Sequence, residues 1–171
     1  MQPALIDDRF LNPGEFYFGN SHTRIRTLLG SCVAITFWHP QCHIGGMCHY
    51  MLPGRGKDLV NELSGKYADE ALQMFMQEIA HHKTKPQEYE IKLFGGGNML
   101  EVLGQSSRAE NVAERNIQAA RWLLSEYGLK IKAESLGGVG YRQIVFELWS
   151  GDVWSRKVRG VIAGIGGERS L

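Results

Sequence analysis

The sequence predicts an α+β fold with about seven or more strands and two long helices. Three observations carry this. Short runs rich in β-branched, aromatic and apolar residues recur along the chain. Two stretches, 65–82 and 109–126, instead repeat their apolar residues every three or four positions, the period of a helix with one buried face. Tight connections such as His39-Pro40-Gln41-Cys42 and Ser150-Gly151-Asp152 separate neighbouring strand candidates, so most adjacent strands are expected to run antiparallel. A length of 171 residues suits one domain spanning 1–171, long enough to bury a core.

Taken in order, residues 1–14 read as a loose lead-in that ends in the Asn12-Pro13-Gly14 turn. EFYFG (15–19) and TRIRTLL (23–29) are the first strand candidates. CVAITFW (32–38) and HIGGMCHYM (43–51) form a hairpin; with Pro40-Gln41 at its tip, Trp38 opposes His43 and Cys32 opposes His49. Residues 53–57 read as a solvated connection rather than a substrate flap. In the first helix Ala68, Leu72, Phe75 and Ile79 form the apolar stripe, and His81-His82-Lys83 suits a helix C-terminus. YEIKLF (89–94) is a strand that runs into Gly95-Gly96-Gly97-Asn98-Met99. That turn has neither a Walker lysine-hydroxyl pair nor G-x-G-x-x-G spacing, so it is expected to pack on the hairpin and not to bind phosphate. The second helix buries Ala113, Ile117, Ala120 and Leu124, and Gly128 stops it. KIKAESL (130–136), RQIVFELW (142–149) and DVWSRKV (152–158) complete the strands, and the glycine-rich end, 160–171, is expected to fray.

Composition narrows the function. A formal net charge of +1 points to no nucleic-acid or membrane field. The N-terminus lacks a basic segment followed by an apolar run, and no run approaches transmembrane length, so neither a secretory leader nor membrane insertion is expected. Three cysteines are too few, and odd in number, for a disulfide framework; a reducing cytoplasm fits them.

The candidate chemistry lies in Thr27–Gly54, TLLGSCVAITFWHPQCHIGGMCHYMLPG, which holds all three cysteines. Opposed residues of a hairpin have Cβ atoms about 4.5–5.5 Å apart, so the expected register sets the Cys32 thiol against the His49 imidazole. A thiol held against an imidazole is the minimum unit of cysteine nucleophile catalysis. Gly30 and Ser31 precede the cysteine, and backbone N–H groups there and at Cys32 could point at a developing oxyanion. Thr27, five residues upstream, offers a hydroxyl to orient the imidazole. The residues alone leave two further readings. Cys32 is also readable as an inert buried thiol. Cys42-His43 with Cys48-His49 suggests zinc, against which adjacent strand residues point to opposite faces and no C-x₂₋₄-C pair exists. Cys48, on the Ile35/Phe37 side, reads as a small core residue.

The stretches LLGSCVAITFWHP and GGMCHYMLPG resemble the signature of the CheD family, the chemoreceptor glutamine deamidases of bacterial chemotaxis. The similarity continues through KLFGGGNM (92–99), AERNIQAARWLL (113–124) and ESLGGVGYRQIVFELWSGDVW (134–154), so it covers nearly the whole chain in order. It implies a layered α/β/β sandwich and a catalytic Cys, His and Thr that map onto Cys32, His49 and Thr27. Some family members carry the threonine six residues before the cysteine, where this chain has Arg26. The implied reaction converts receptor glutamine to glutamate through a thioester on Cys32, with release of ammonia. The thiol is expected to be held as a thiolate by imidazolium His49, and no metal or organic cofactor is required. The implied partners are the cytoplasmic domains of methyl-accepting chemotaxis proteins and a CheC-type phosphatase. Two alternatives stand beside this: an adaptor that works without catalysis, and a cysteine hydrolase acting on another amide.

Overall fold

Alternation along TRIRTLL turns Thr23, Ile25, Thr27 and Leu29 inward and leaves Arg24, Arg26 and Leu28 on the outer side. The same rule, applied to each strand, sorts the chain into layers. The computed structural model describes residues 1–56, 61–102, 104 and 111–158. Among these, β1 (Asp7–Leu11), β3 (Thr23–Leu29), β8 (Tyr141–Glu147) and β9 (Asp152–Val158) form one sheet in the order β1-β3-β8-β9. A second sheet, ordered β2-β5-β4-β6-β7, contains β2 (Phe16–Gly19), β4 (Val33–His39), β5 (Ile44–Tyr50), β6 (Glu90–Gly95) and β7 (Ile131–Leu136). Pairing is antiparallel except for β1 with β3 and β6 with β7.

Two helices, α1 (Ala68–His81) and α3 (Val112–Glu126), cover one face of the five-stranded sheet; a short α2 (Met99–Val102) lies between them in sequence. Val33, Ile35, Phe37, Cys48, Ile91 and Leu93 meet Leu72, Phe75, Ile117 and Leu124 in the helix-side core. There Phe37 stacks on Phe75 at 4.3 Å between centroids, and Phe16 meets the same ring edge-on at 4.8 Å. The opposite face of that sheet sends Ala34, Met47 and Phe94 against Ile25, Leu29, Ile144 and Phe146 of the four-stranded sheet. The architecture is therefore the expected α/β/β sandwich. No helix among the described residues is long and apolar enough to cross a membrane.

Helix ends follow local chemistry. The Asn111 side chain caps α3 by accepting from Ala113 N at 3.0 Å. Gly128, at φ +67, ends the same helix as expected. Arg55, in the connection after the hairpin, forks onto Glu70 of α1 at 2.6 and 2.7 Å and lies over the Tyr67 ring. Residue 57 of that connection and the glycine-rich end, 160–171, lie outside the described residues.

Two expectations need correction. The supposed loose lead-in contains β1, a parallel edge strand held to β3 partly by ion pairs from Asp8 to Arg24 and Arg26. The hairpin register is also two residues away from the one expected. Its connection is Pro40–His43, so Ala34, not Cys32, opposes His49. The cause is local: His39 Nδ1 accepts the N–H groups of Gln41 and Cys42 at 3.3 and 3.2 Å. His43 then closes the turn in the left-handed region (φ +52) with its ring stacked on Trp38.

Trp38 also donates its Nε1–H to Leu148 O at 2.8 Å, which ties the two sheets together beside the β8–β9 turn. Gly151 in that turn sits at φ +77, and a Cβ there would meet the Trp38 ring at 2.4 Å. Gly151→Ala is expected to destabilise the fold by about 2–4 kcal/mol through backbone strain and displacement of the indole. Urea unfolding checks this; a loss below about 0.5 kcal/mol would show that the indole moves freely.

Candidate active site

The chain leaves the four-stranded sheet at Leu29 and enters the five-stranded sheet at Val33, so Gly30-Ser31-Cys32 is the crossover between sheets. Each carbonyl of this segment is held from outside. Gly97 N donates to Gly30 O at 2.8 Å, Asn116 Nδ2 to Ser31 O at 3.2 Å, and Gly96 N to Cys32 O at 2.8 Å. In a trans peptide the N–H points opposite to the C=O. The N–H groups of Ser31 and Cys32 are thereby each turned away from the donor that holds the carbonyl of the same peptide, and neither goes to a backbone carbonyl among the described residues. The glycine turn must approach very closely to do this: a Cβ on Gly95, at φ +111, would lie 2.3 Å from Cys32 O. Gly30 itself lies beneath Met99 and Tyr141.

Thr27 faces the space between the sheets, where His49 reaches it from β5. Its Oγ1 lies 2.7 Å from His49 Nδ1 and donates to Leu11 O at 2.7 Å. A carbonyl can only accept, and a hydroxyl has one proton to give. The hydroxyl proton therefore goes to Leu11, so the imidazole carries its own proton on Nδ1 and donates it to Thr27. Nε2 keeps a lone pair, and it is buried without a hydrogen-bond partner among the described residues. Strand parity explains why Thr27 meets His49 and Arg26 does not: Arg26 points outward and pairs with Asp8 at 2.9 Å.

Cys32 lies two residues before Ala34, the residue opposite His49, so by alternation it shares that face. It is a diagonal neighbour of His49 and not a directly opposed one; such neighbours have Cα atoms about 7–8 Å apart, with Cβ atoms somewhat closer. The two-residue difference in register preserves the face, whereas a slip of one would have put thiol and imidazole on opposite sides. The thiol is half-buried and packs against the inter-sheet core.

A family model described as CheD chemotactic sensory transduction matches residues 51–157. A probable chemoreceptor glutamine deamidase CheD 3 of Dechloromonas aromatica is 47% identical over 163 residues, 95% of each chain. The chain belongs to the CheD family. Probable chemoreceptor glutamine deamidases of Pseudomonas savastanoi pv. phaseolicola and Pseudomonas syringae pv. tomato are 48% and 50% identical. Those matches cover 90% and 84% of this chain, and 86% and 85% of the relatives.

Burial in this CheD-family chain works against the expected thiolate–imidazolium pair. Burial pushes His49 down to about 4, with the Leu11 carbonyl and Glu15 opposing only part of that. Burial also pushes the Cys32 thiol up, partly offset by its own N–H. Both shifts favour the neutral forms, a thiol and an uncharged imidazole. Cys48 is buried among Val33, Ile35 and Phe37, and its thiol is pushed up to about 12. Cys42 is exposed beside His39, away from these residues.

Two buried polar residues were absent from the sequence reading. Asn116 occupies the apolar stripe of α3, and Arg142 occupies an inward position of β8. Arg142 donates to Gly95 O at 3.0 Å, to Gly137 O and to Ser135 Oγ, so it backs the glycine turn that holds the crossover. A polar residue interrupting an apolar stripe is the signal that marks both.

The His49 shift has a thermodynamic consequence. Its folded pKa lies below the ordinary 6.5, so the unfolded chain binds the proton more readily between the two values. Stability is then complete above about pH 6.5 and falls as pH drops through about 4, by about 3 kcal/mol from this residue. Denaturant melts from pH 7 to 4 should show that loss in the wild type and much less of it in His49→Gln. Parallel curves would mean that the imidazole is not held neutral.

Proposed function

We propose that this protein is a cysteine-dependent glutamine deamidase that converts glutamine side chains of methyl-accepting chemotaxis receptors to glutamate. The observation that carries the reading is the buried Thr27–His49 pair: the ring belongs to the strand face that Cys32 shares by alternation, and its Nε2 has no hydrogen-bond partner among the described residues. The printed names of relatives 47–50% identical to this chain support the substrate class. Exposed glutamines on the helical cytoplasmic domain of such receptors would be the sites, and the cytoplasm the place of action.

In this reading Cys32 Sγ attacks the side-chain carboxamide carbon as His49 Nε2 takes the thiol proton. The carbonyl electrons move onto oxygen, and the N–H groups of Ser31 and Cys32 stabilise that oxyanion. His49 returns its proton to the amide nitrogen, the C–N bond breaks, and ammonia leaves a thioester on Cys32. Water then gives a proton to His49 and attacks the thioester. Collapse releases glutamate and returns the proton to sulfur. Thr27 holds the imidazole in the Nδ1–H tautomer throughout and stabilises the imidazolium that forms midway.

The reaction is tested by mass spectrometry of a receptor cytoplasmic fragment incubated with the protein, with ammonia quantified. Glutamine-to-glutamate conversion is expected with the wild type and its loss with Cys32→Ala. Thr27→Val should lower kcat by about 10–100-fold, and Thr27→Ser should restore most of it. Conversion that survives in Cys32→Ala would remove the nucleophile. Absence of conversion together with tight binding of the receptor or of a CheC-type phosphatase would replace the enzyme with an adaptor.

A further inference from the structure

We propose that Asn116 is a positioning residue that aims the oxyanion-binding N–H of Cys32. This deepens the deamidase reading and rests on it for the role of Cys32. Asn116 is fully buried on α3, in a stripe otherwise made of Ala113, Ile117, Ala120 and Leu124. Its Nδ2 donates to two carbonyls, Ser31 O at 3.2 Å and Met51 O at 2.8 Å. Both partners can only accept, so the carboxamide orientation is determined: nitrogen towards the strands, Oδ1 away. Oδ1 is then buried with no hydrogen-bond partner among the described residues. An unpaired buried acceptor is unfavourable, and a small apolar residue would avoid it. Alanine, in turn, would take away the donor that Ser31 O and Met51 O share, so the residue is retained for those two carbonyls and not for the packing of the stripe.

What the carboxamide does follows from where its partners sit. The β4–β5 ladder ends at the pair Val33–Tyr50. Ser31 and Met51 lie just past that end, one on the segment leading to the nucleophile and one on the strand bearing the base. Asn116 replaces the missing ladder bonds and holds the two segments at a common distance. It also fixes the plane of the peptide joining Ser31 to Cys32. With Ser31 C=O held towards α3, the N–H of Cys32 must point the other way, and it lies beside its own thiol. Without Asn116 this peptide keeps no side-chain restraint, because the other two holds, from Gly96 and Gly97, act on the neighbouring peptides. Backbone continuity supports the same helix position: Tyr50 donates its hydroxyl to the backbone carbonyl of Asn116.

Two reactions of one thiol separate aiming from general support. Acylation of Cys32 by p-nitrophenyl acetate joins sulfur to the acyl carbon and passes through an oxyanion before p-nitrophenolate leaves. Alkylation by iodoacetamide joins sulfur to carbon as iodide departs and forms no oxyanion. Both are measured on the Cys32 peptide by mass spectrometry, in the full chain carrying Cys42→Ser to remove the exposed thiol. Asn116→Ala is expected to slow acylation by about 100-fold while alkylation stays close to the wild-type rate. Asn116→Ser keeps one donor and should slow acylation by about tenfold, which preserves the test if the alanine variant does not fold. On receptor glutamine the same variants should lower kcat and leave KM unchanged. Unchanged acylation, or acylation and alkylation falling together, overturns the inference. A wild type that acylates normally but deamidates no receptor fragment overturns the receptor reading alone and leaves Asn116 in place.

Discussion

One hydrogen bond across the sandwich, from His49 Nδ1–H to Thr27, is the interaction that the rest of the site depends on. It joins a strand of the five-stranded sheet to a strand of the four-stranded sheet, so both sheets must be in register for it to form. Its direction is imposed from a third element. The Leu11 carbonyl of β1 takes the only hydroxyl proton of Thr27, leaving the imidazole no choice of tautomer. The parallel edge strand β1 thus supplies more than an extra ladder. It determines which ring nitrogen of His49 carries the lone pair.

The crossover shows a second constraint of the same kind. Three successive peptides have their carbonyls captured by donors from two different layers: Gly96 and Gly97 beside the sheets and Asn116 from the helices. A captured carbonyl is ordinary in a sheet, where the N–H of the same peptide is captured as well. In the first two of these peptides only the carbonyl is taken by a partner from elsewhere among the described residues, and each captured carbonyl sets the direction of the N–H across its own peptide. Arg142 reinforces this arrangement from the four-stranded sheet by gripping Gly95 O and Gly137 O with a guanidinium that is almost fully buried. Its partners are carbonyls and a hydroxyl, so the burial lowers its pKa without a carboxylate to compensate. A charge held that way does more for geometry than for net stability.

The layers were legible in the sequence because alternation and helical stripes are local signals. TRIRTLL declares Thr27 inward by parity alone, and Phe75 and Ile79 declare the buried face of α1. The shared face of Cys32 and His49 was also legible, since an error of two residues in the hairpin leaves parity intact. The error arose because His39 folds its ring under the turn and lengthens it, which no turn signal in His39-Pro40-Gln41-Cys42 reveals. β1 was not legible: a polar edge strand, DDRFL, pairs in parallel with a strand that begins twelve residues after it ends, and parallel pairing leaves no local mark. Asn116 and Arg142 were visible as polar residues at buried positions, but their partners lie more than forty residues away in sequence or in another layer. The neutral charge state was beyond reach, because burial is a collective property of both sheets.

That neutral state changes how the parts of the proposed mechanism relate. A preformed thiolate would put most of the activation in the ground state and would leave the oxyanion donors a secondary role. In this chain, burial raises the thiol and lowers the imidazole, so charge separation is disfavoured until a carbonyl arrives to receive it. The proton transfer and the appearance of the oxyanion are then coupled: the imidazolium forms as negative charge reaches the carbonyl oxygen. Thr27 acts at the positive end of that separation and the aimed N–H groups at the negative end. In a low-dielectric space between two sheets both interactions gain strength together. A thiol that is a poor nucleophile at rest is therefore consistent with an effective one in the transition state, and it gains selectivity, since electrophiles that develop no oxyanion draw nothing from the aimed N–H groups.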